Sequence, residues 1–301
     1  MTSSRWVGRT LFDRPYLLLS FTSLTWAGNI VLGRFVAGHI PPIALNWLRW
    51  SGAFVILLPF AIGRLRGDWP TIRAHLPLLA LLAATGISAY NALGYYALQY
   101  TQALNGLLIQ STAPLLIALW ALILFRDRLS WKQLAGILTS LCGVVIIVGR
   151  GDLAVLQSLA LNPGDVWFFL AMVVYAFYSA LLKRRPLMHP VSFLAVTMGL
   201  GVVLLTPALV AELAAGQTIH VDALTVATFG YVALFPSLLA YLCFNRGVEL
   251  VGPNRAAPFF HLIPVFGSAL AILFLGEEPR LYHAIGYALV LGGVVVATRR
   301  A

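Results

Sequence analysis

Ten stretches of about 20 predominantly apolar residues leave this chain one class of fold. They run over residues 16–37, 43–62, 76–98, 105–125, 131–149, 165–182, 191–211, 224–244, 256–275 and 282–298. A helix of about 20 apolar residues crosses the roughly 30 Å hydrocarbon core of a bilayer. In lipid every backbone polar group must find a partner inside the protein, which makes each such stretch helical. Of the 301 residues 60% are hydrophobic and 10% charged, with a mean hydropathy of +0.88. An ordinary soluble domain carries about 25% charge, and no water-facing fold hides this much apolar surface. The expected fold is an all-α membrane protein with ten transmembrane helices.

The formal charge of +10 and pI of about 10.1 raise a nucleic-acid partner as an alternative. Phosphate binding needs a continuous basic surface, whereas here Lys and Arg punctuate short gaps between apolar runs. They read instead as topology. With the N-terminus placed inside, one side collects Arg5, Arg9, Arg14, Arg64, Arg66, Arg73, Arg126, Arg128, Lys132, Lys183, Arg184, Arg185, Arg246, Arg255, Arg299 and Arg300, which is 16 of the 20 basic residues. The other side holds Arg34, Arg150 and Arg280, and Arg49 lies within the second stretch. An excess of Lys and Arg marks cytoplasmic loops, so both termini are expected in the cytoplasm of a bacterial inner membrane. The first stretch is too long for a signal-peptide core and lacks a small-residue cleavage site, so it reads as a retained span. Cys142 and Cys243 fall inside apolar runs without metal-ligand spacing and read as small hydrophobes.

Shifting the chain by 150 residues lays Pro114 on Pro264, Asp127 on Glu277, Gly136 on Gly286 and Gly143 on Gly293. Residues 1–150 and 151–301 therefore read as two five-helix repeats, with 149–163 as their boundary. An odd number of helices per repeat makes the second copy enter from the opposite side. Inverted repeats of this kind are common in secondary transporters, with the solute site near the midplane.

Each half ends in a Pro-centred helix, a short turn carrying acid (Phe125-Arg-Asp-Arg-Leu-Ser; Gly276-Glu-Glu-Pro) and a Gly-x6-Gly helix. Over essentially the whole chain this pattern resembles the drug/metabolite transporter superfamily, EamA-type, and most of all its bacterial exporters of aromatic and other amphipathic amino acids. The resemblance implies efflux from cytoplasm to periplasm through a central cavity, with the fifth and tenth helices peripheral. Arg126 and Arg128, flanking Asp127, depart from the common acidic turn.

Enzyme signatures are missing: there is no HExxH, no paired Cys cluster, no Gly-rich phosphate loop and no Gly-x-Ser-x-Gly. No catalytic residue, metal ligand or cofactor is expected. Without an ATP motif, transport is secondary or facilitated.

Candidate solute-binding residues come from polar and aromatic side chains that share a helix face. These are Trp26 and Asn29 on the first stretch, Asn91 and Tyr95 on the third, Tyr175 and Tyr178 on the sixth, and Ser237 and Tyr241 on the eighth, joined by Gln110. Interfacial belts and helix-to-helix bonds are the competing reading for such residues. His261 is the titratable group at depth; it either meets solute or protons, or is a hydrogen-bonded structural histidine. Pro114 and Pro264 remove backbone bonds within their helices and are either hinges for alternating access or static kinks. Arg49 is two turns inside its stretch, and snorkelling to the outer interface is preferred over receipt of a solute carboxylate.

The expected activity is export of small amphipathic metabolites, amino acids including aromatic ones first. A broad drug or nucleotide-sugar carrier and a membrane receptor that binds without transport are the alternatives. The expected partners are a small-molecule solute and the lipid bilayer, with no nucleic acid. A monomer is the expected state, and whether the glycine faces of the fifth and tenth stretches pack within one chain stays open.

Overall fold

The computed structural model describes residues 11–152, 154–155, 162–275, 278 and 280–298. Arg5, Trp6, Arg9, Arg299, Arg300 and, in the second acidic turn, Gly276, Glu277 and Pro279 lie outside the described residues, and with them the match of Asp127 to Glu277.

Among the described residues every regular element is helical. The helices are α1 (Pro15–Phe35), α2 (Pro42–Ala74), α3 (Leu76–Tyr100), α4 (Ala103–Gln110), α5 (Ala113–Phe125), α6 (Trp131–Val148), α7 (Pro163–Leu181), α8 (Pro190–Ala214), α9 (Ala223–Val251), α10 (Pro253–Ala256), α11 (Leu262–Leu275) and α12 (Leu281–Thr298). Nine helical stretches among the described residues are long and apolar enough to cross a membrane, α4 and α5 together forming one of them. Phe60, Val55, Ile123, Val166 and Val203 project outward and exposed, as side chains bathed by lipid do. The chain is a multi-pass membrane protein.

The ninth expected span is broken. Residues 253–275 form α10, a 3-10 turn over Ala257–His261 and then α11, because Pro253, Pro258 and Pro264 each withhold a backbone donor. The fourth span breaks at the equivalent place, through a turn at Ser111 and Thr112. Pro114 then stands in the first turn of α5 and Pro264 in the first turn of α11, where a missing N–H costs little. The expectation of prolines kinking unbroken helices is thus corrected: each starts a new segment after a break.

Packing follows the repeat. α2 lies on α8 and α6 on α12, each helix against its counterpart 150 residues on. α1 packs on α9 and α11 just as α7 packs on α3 and α5. The α6–α12 crossing is antiparallel: a Cβ on Gly136 would stand 2.5 Å from Gly293 O and Ala297 N, and one on Gly143 would stand 2.7 Å from Gly286 O. Small residues let the two backbones touch. α2 and α8 are antiparallel as well, since Glu212 at the end of α8 caps Ile43 N and Ala44 N at the start of α2 (3.0 and 2.7 Å).

Polar contacts sort the loops into two ends. One end carries Lys183 on Asp127 (2.9 Å), Arg185 on Glu249 (2.7 Å) and Arg246 on Asp13 and Glu249 (2.5 and 3.0 Å). The other carries His39 on Asp222 (3.0 Å) and the Glu212 cap. Every contact joins loops that the charge pattern had placed on one side, so the described cations other than Arg34, Arg49, Arg150 and Arg280 share the first, basic end.

Candidate functional site

Arg49 does not snorkel. It is 1% exposed and reaches from α2 to α3 and α9. Its Nε donates to Ser237 Oγ, Nη1 to Asn91 Oδ1 (3.0 Å) and Tyr95 OH (2.9 Å), and Nη2 to Pro236 O (3.1 Å). A guanidinium has five N–H groups, and these bonds occupy four. Its carbon sits 4.9 Å from the Trp50 ring centroid and 5.8 Å from that of Tyr95. No carboxylate pairs with it among the described residues. A charge placed mid-membrane costs about 2.5–3.5 kcal/mol even on the milder insertion scales, which four neutral acceptors and two aromatic faces offset in part.

The carbonyl acceptor, Pro236 O, is free because α9 widens into a π-helical segment, Ala233–Leu239, and α3 widens at the equivalent place, Ala84–Ala89. A π segment leaves carbonyls without their usual helical donors, and Pro236 adds to this by lacking an N–H. Side chains take up the free carbonyls: Pro236 O accepts from Arg49 and from Trp26 Nε1 (3.1 Å), and Gly86 O from Tyr241 OH (2.6 Å) and Asn91 Nδ2 (3.2 Å). Ser88 and Ser237 both turn back to carbonyls five residues earlier, Ala83 O and Val232 O. Neither widening carries a sequence signature, so neither was foreseen.

Most of the sequence candidates fall into two groups. Asn29, Asn91, Tyr95, Ser237 and Tyr241 join Arg49 in one network, with Tyr95 OH donating to Asn29 Oδ1 (2.8 Å) and Asn91 Nδ2 to Tyr241 OH (3.4 Å). Trp26, Tyr175, Tyr178 and Tyr241 form an aromatic cluster. Trp26 meets Tyr175, Tyr241, Phe244 and Phe260 at centroid distances of 5.6, 5.8, 5.2 and 5.5 Å. Tyr178 OH donates to Asn245 Oδ1 (2.8 Å). This cluster fills the middle of the bundle, and the free volume left beside Asn29, Asn91 and Tyr95 is about 20 Å³. A wide central cavity, as the resemblance implied, is not what these residues enclose in this conformation. Gln110, the last residue of α4, and His261, the last residue of the 3-10 turn before α11, stand apart from both groups. His261 is fully buried, Nε2 donating to Ser111 O (2.9 Å) and Nδ1 paired with Ser140 Oγ. A neutral ring with its proton on Nε2 satisfies both bonds. Gln110 Oε1 is buried without a partner.

Trp50, Tyr90, Phe244, Phe260 and Asn245 belong to the centre and were not singled out by sequence. Asn245 was the findable one, four residues after Tyr241 on the same face. Equivalent positions of the two halves meet in space: Asn91 meets Tyr241, and Ser111 meets His261. The network therefore lies on the seam between halves, where transporters with repeats hold their solutes.

Comparison with known proteins agrees with this geometry. The chain matches the model of the EamA-like transporter family twice, over residues 14–149 and 162–299. It is 28% identical to "Uncharacterized transporter YyaM" of Bacillus subtilis (strain 168), covering 94% of this chain and 92% of that one. It is 30% identical, with the same coverage, to the protein of Streptantibioticus cattleyicolor named "Probable terminal-alkyne amino-acid exporter". A solved crystal structure shares the fold with a TM-score of 0.72 at 21% identity, covering 93% of this chain and 95% of that one. Two matched copies that together take in most of the sequence, on a helical membrane scaffold, make this chain a member of the EamA-like transporter family and a transporter, not an enzyme.

Proposed function

We propose that the protein exports small amphipathic metabolites, amino acids including aromatic ones first, by secondary or facilitated alternating access. Arg49 carries this reading: a buried cation with no carboxylate partner among the described residues and one uncommitted N–H is suited to the carboxylate of a solute. Trp26, Tyr175 and Tyr241 offer aromatic faces to the apolar end, and Asn29, Asn91 and Tyr95 offer hydrogen bonds. The relative named as an amino-acid exporter supports the substrate class.

The architecture proposed with it is ten spans in two inverted five-helix repeats, 1–150 and 151–301. The antiparallel α2–α8 and α6–α12 pairs support it, since repeats of like orientation would run parallel to their counterparts. The surplus of cations at the basic end supports a cytoplasmic placement of that end and of both termini. The filled centre is then a closed state, and Trp26 and Tyr241 move aside to admit solute. Breaks in the fourth and ninth spans, just before Pro114 and Pro264, are the places for that bending. The fully bonded position of His261 favours a structural role for it.

Counterflow of labelled phenylalanine in proteoliposomes tests the function. Accumulation against unlabelled internal phenylalanine is expected. Saturable binding without accumulation would mark a receptor, and accumulation of cationic drugs or nucleotide sugars alone would replace the substrate class.

A further inference from the structure

A second polar site lies at the basic end, apart from Arg49. A cavity of about 600 Å³ opens between the ends of α5, α7, α9 and α10, lined by Asp127, Arg128, Lys183, Arg185, Glu249, Asn254 and Arg255 among others. Four cations face two carboxylates there. Lys183 pairs with Asp127 and Arg185 with Glu249, and among the described residues Arg128 and Arg255 pair with no carboxylate. Arg185 differs from the rest. Its side chain is only 10% exposed, its guanidinium carbon lies 5.4 Å from the Phe193 ring centroid, and its Nη1 has no hydrogen-bond partner. Asn254, 8% exposed on the same cavity, has an unpartnered Oδ1. Both side chains line the cavity, while these two atoms are themselves closed off and unpaired, at a cost of about 1–3 kcal/mol each; a side-chain rotation that brings them to the cavity lets a ligand supplying an acceptor and a donor remove that cost.

We infer that this vestibule is a second binding site for a carboxylate-bearing solute, with Arg185 Nη1 donating to the carboxylate and Asn254 Oδ1 accepting from an ammonium or amide of the same molecule. The inference rests on the proposed transport function only for the identity of the ligand as cargo; the site itself follows from Arg185 and Asn254. A carboxylate is favoured over a bare cation because the lining has a surplus of positive charge. Glu249 does not depend on Arg185 alone, since Arg246 also pairs with it, so Arg185 can be replaced without stranding a carboxylate.

The test uses the full chain in phosphatidylcholine nanodiscs, which contain no anionic lipid. A single reporter, Val251→Cys on the cavity wall, is placed where Cys142 and Cys243 have been replaced by Ala. Thiol labelling by a sulfonate-bearing methanethiosulfonate should outpace labelling by its trimethylammonium counterpart, and Arg185→Gln should lower that ratio at least about fivefold, while Arg185→Lys restores most of it. Phenylalanine and benzoate should slow labelling; phenethylamine, which lacks the carboxylate, should not. Protection should survive Arg49→Gln and disappear in Arg185→Gln. Benzoate protection in a protein that fails phenylalanine counterflow would keep the site and overturn the cargo. Equal protection by phenethylamine, a charge ratio indifferent to Arg185, or protection lost in Arg49→Gln would overturn the site.

Discussion

Replacing Arg49 by Gln separates a ligand-binding role from a structural one, because its present partners can be followed one at a time. Ser237 keeps its bond to Val232 O, Tyr95 keeps Asn29, and Pro236 O keeps Trp26. Asn91 Oδ1 is the acceptor left without a donor, at a cost of about 1–3 kcal/mol. Removal of a charge from the membrane interior returns the part of its cost of about 2.5–3.5 kcal/mol that its present partners do not offset, so the two nearly cancel and the folded protein should melt within a few degrees of the parent. Binding responds differently. A hydrogen bond between guanidinium and carboxylate contributes about 1.5–3 kcal/mol, and each 1.4 kcal/mol is a factor of ten. Arg49→Gln should therefore weaken phenylalanine binding at the central site about 10- to 150-fold and depress counterflow accordingly. Phenethylamine, tested alongside as the decarboxylated control, should lose less than about threefold. Scintillation proximity binding on purified protein, in the Arg185→Gln background, reads the central site by itself. An unchanged phenylalanine affinity, or an equal loss for both ligands, refutes the assignment and leaves Arg49 as a structural cation.

Gly136→Val should force α6 from α12, since its Cβ would stand 2.5 Å from Ala297 N; a loss of about 1–3 kcal/mol should lower the melting temperature, while Gly292→Ala, with open space around it, should not. His261→Gln is expected to lower thermal stability but leave the pH profile of counterflow intact, and a flattened profile would restore a proton-coupling role. The Thr225 N–H at the start of α9 (2.7 Å), helped by His39, holds the Asp222 carboxyl below its usual range. A depressed folded value means stability that is present above the unfolded pKa of about 3.9 and is lost as pH falls through the folded one. The melting-temperature advantage of the parent over Asp222→Ala should accordingly be full near neutrality and shrink below about pH 4. Ser237→Ala, which removes one tie between Arg49 and α9, should raise phenylalanine efflux into empty medium relative to exchange; an unaltered ratio contradicts a gating role for that tie.

Periodicity made most of the scaffold readable, because lipid forces an apolar stretch of about 20 residues into helix, and the cation pattern sorted the loops into the two groups that the ion pairs join. The faces of the central residues were readable too: Asn91 with Tyr95 and Ser237 with Tyr241 sit four apart, and both pairs meet in one network. Arg49 was misjudged because depth along a single helix says nothing about partners, and its partner Ser237 is 188 residues away. The π segments escaped for another reason. Both segments pack against helices distant in sequence, Ala84–Ala89 on α7 and α8 and Ala233–Leu239 on α1 and α2, and Ala84–Ala89 contains no residue that announces the widening. Prolines pointed to the right spans and the wrong geometry, since Pro114 and Pro264 each stand in the first turn of a new segment after a break rather than bend a continuous helix.

The contacts near the centre also differ in how they relate the two halves. Asn91 with Tyr241 and Ser111 with His261 join equivalent positions, and the glycines of α6 and α12 form a reciprocal set, Gly136 on Gly293 and Gly143 on Gly286. Contacts of that kind survive a motion in which the proposed inverted repeats exchange their tilts, because each partner moves into the relation the other had. Arg49 breaks this balance: its counterpart in α8 is Gly199, packed against Phe54, and it holds Asn91 and Tyr95 in its own half and Ser237 and Pro236 in the other. A motion that keeps the equivalent pairs must therefore loosen one set of Arg49 bonds. A ligand shifts a conformational equilibrium only through unequal affinity for the two states, and a carboxylate that takes the place of Ser237 and Pro236 supplies that inequality at the point where the symmetry fails. In the proposed cycle the charge then does two jobs through one group, selecting the solute and releasing the tie between halves when the solute arrives.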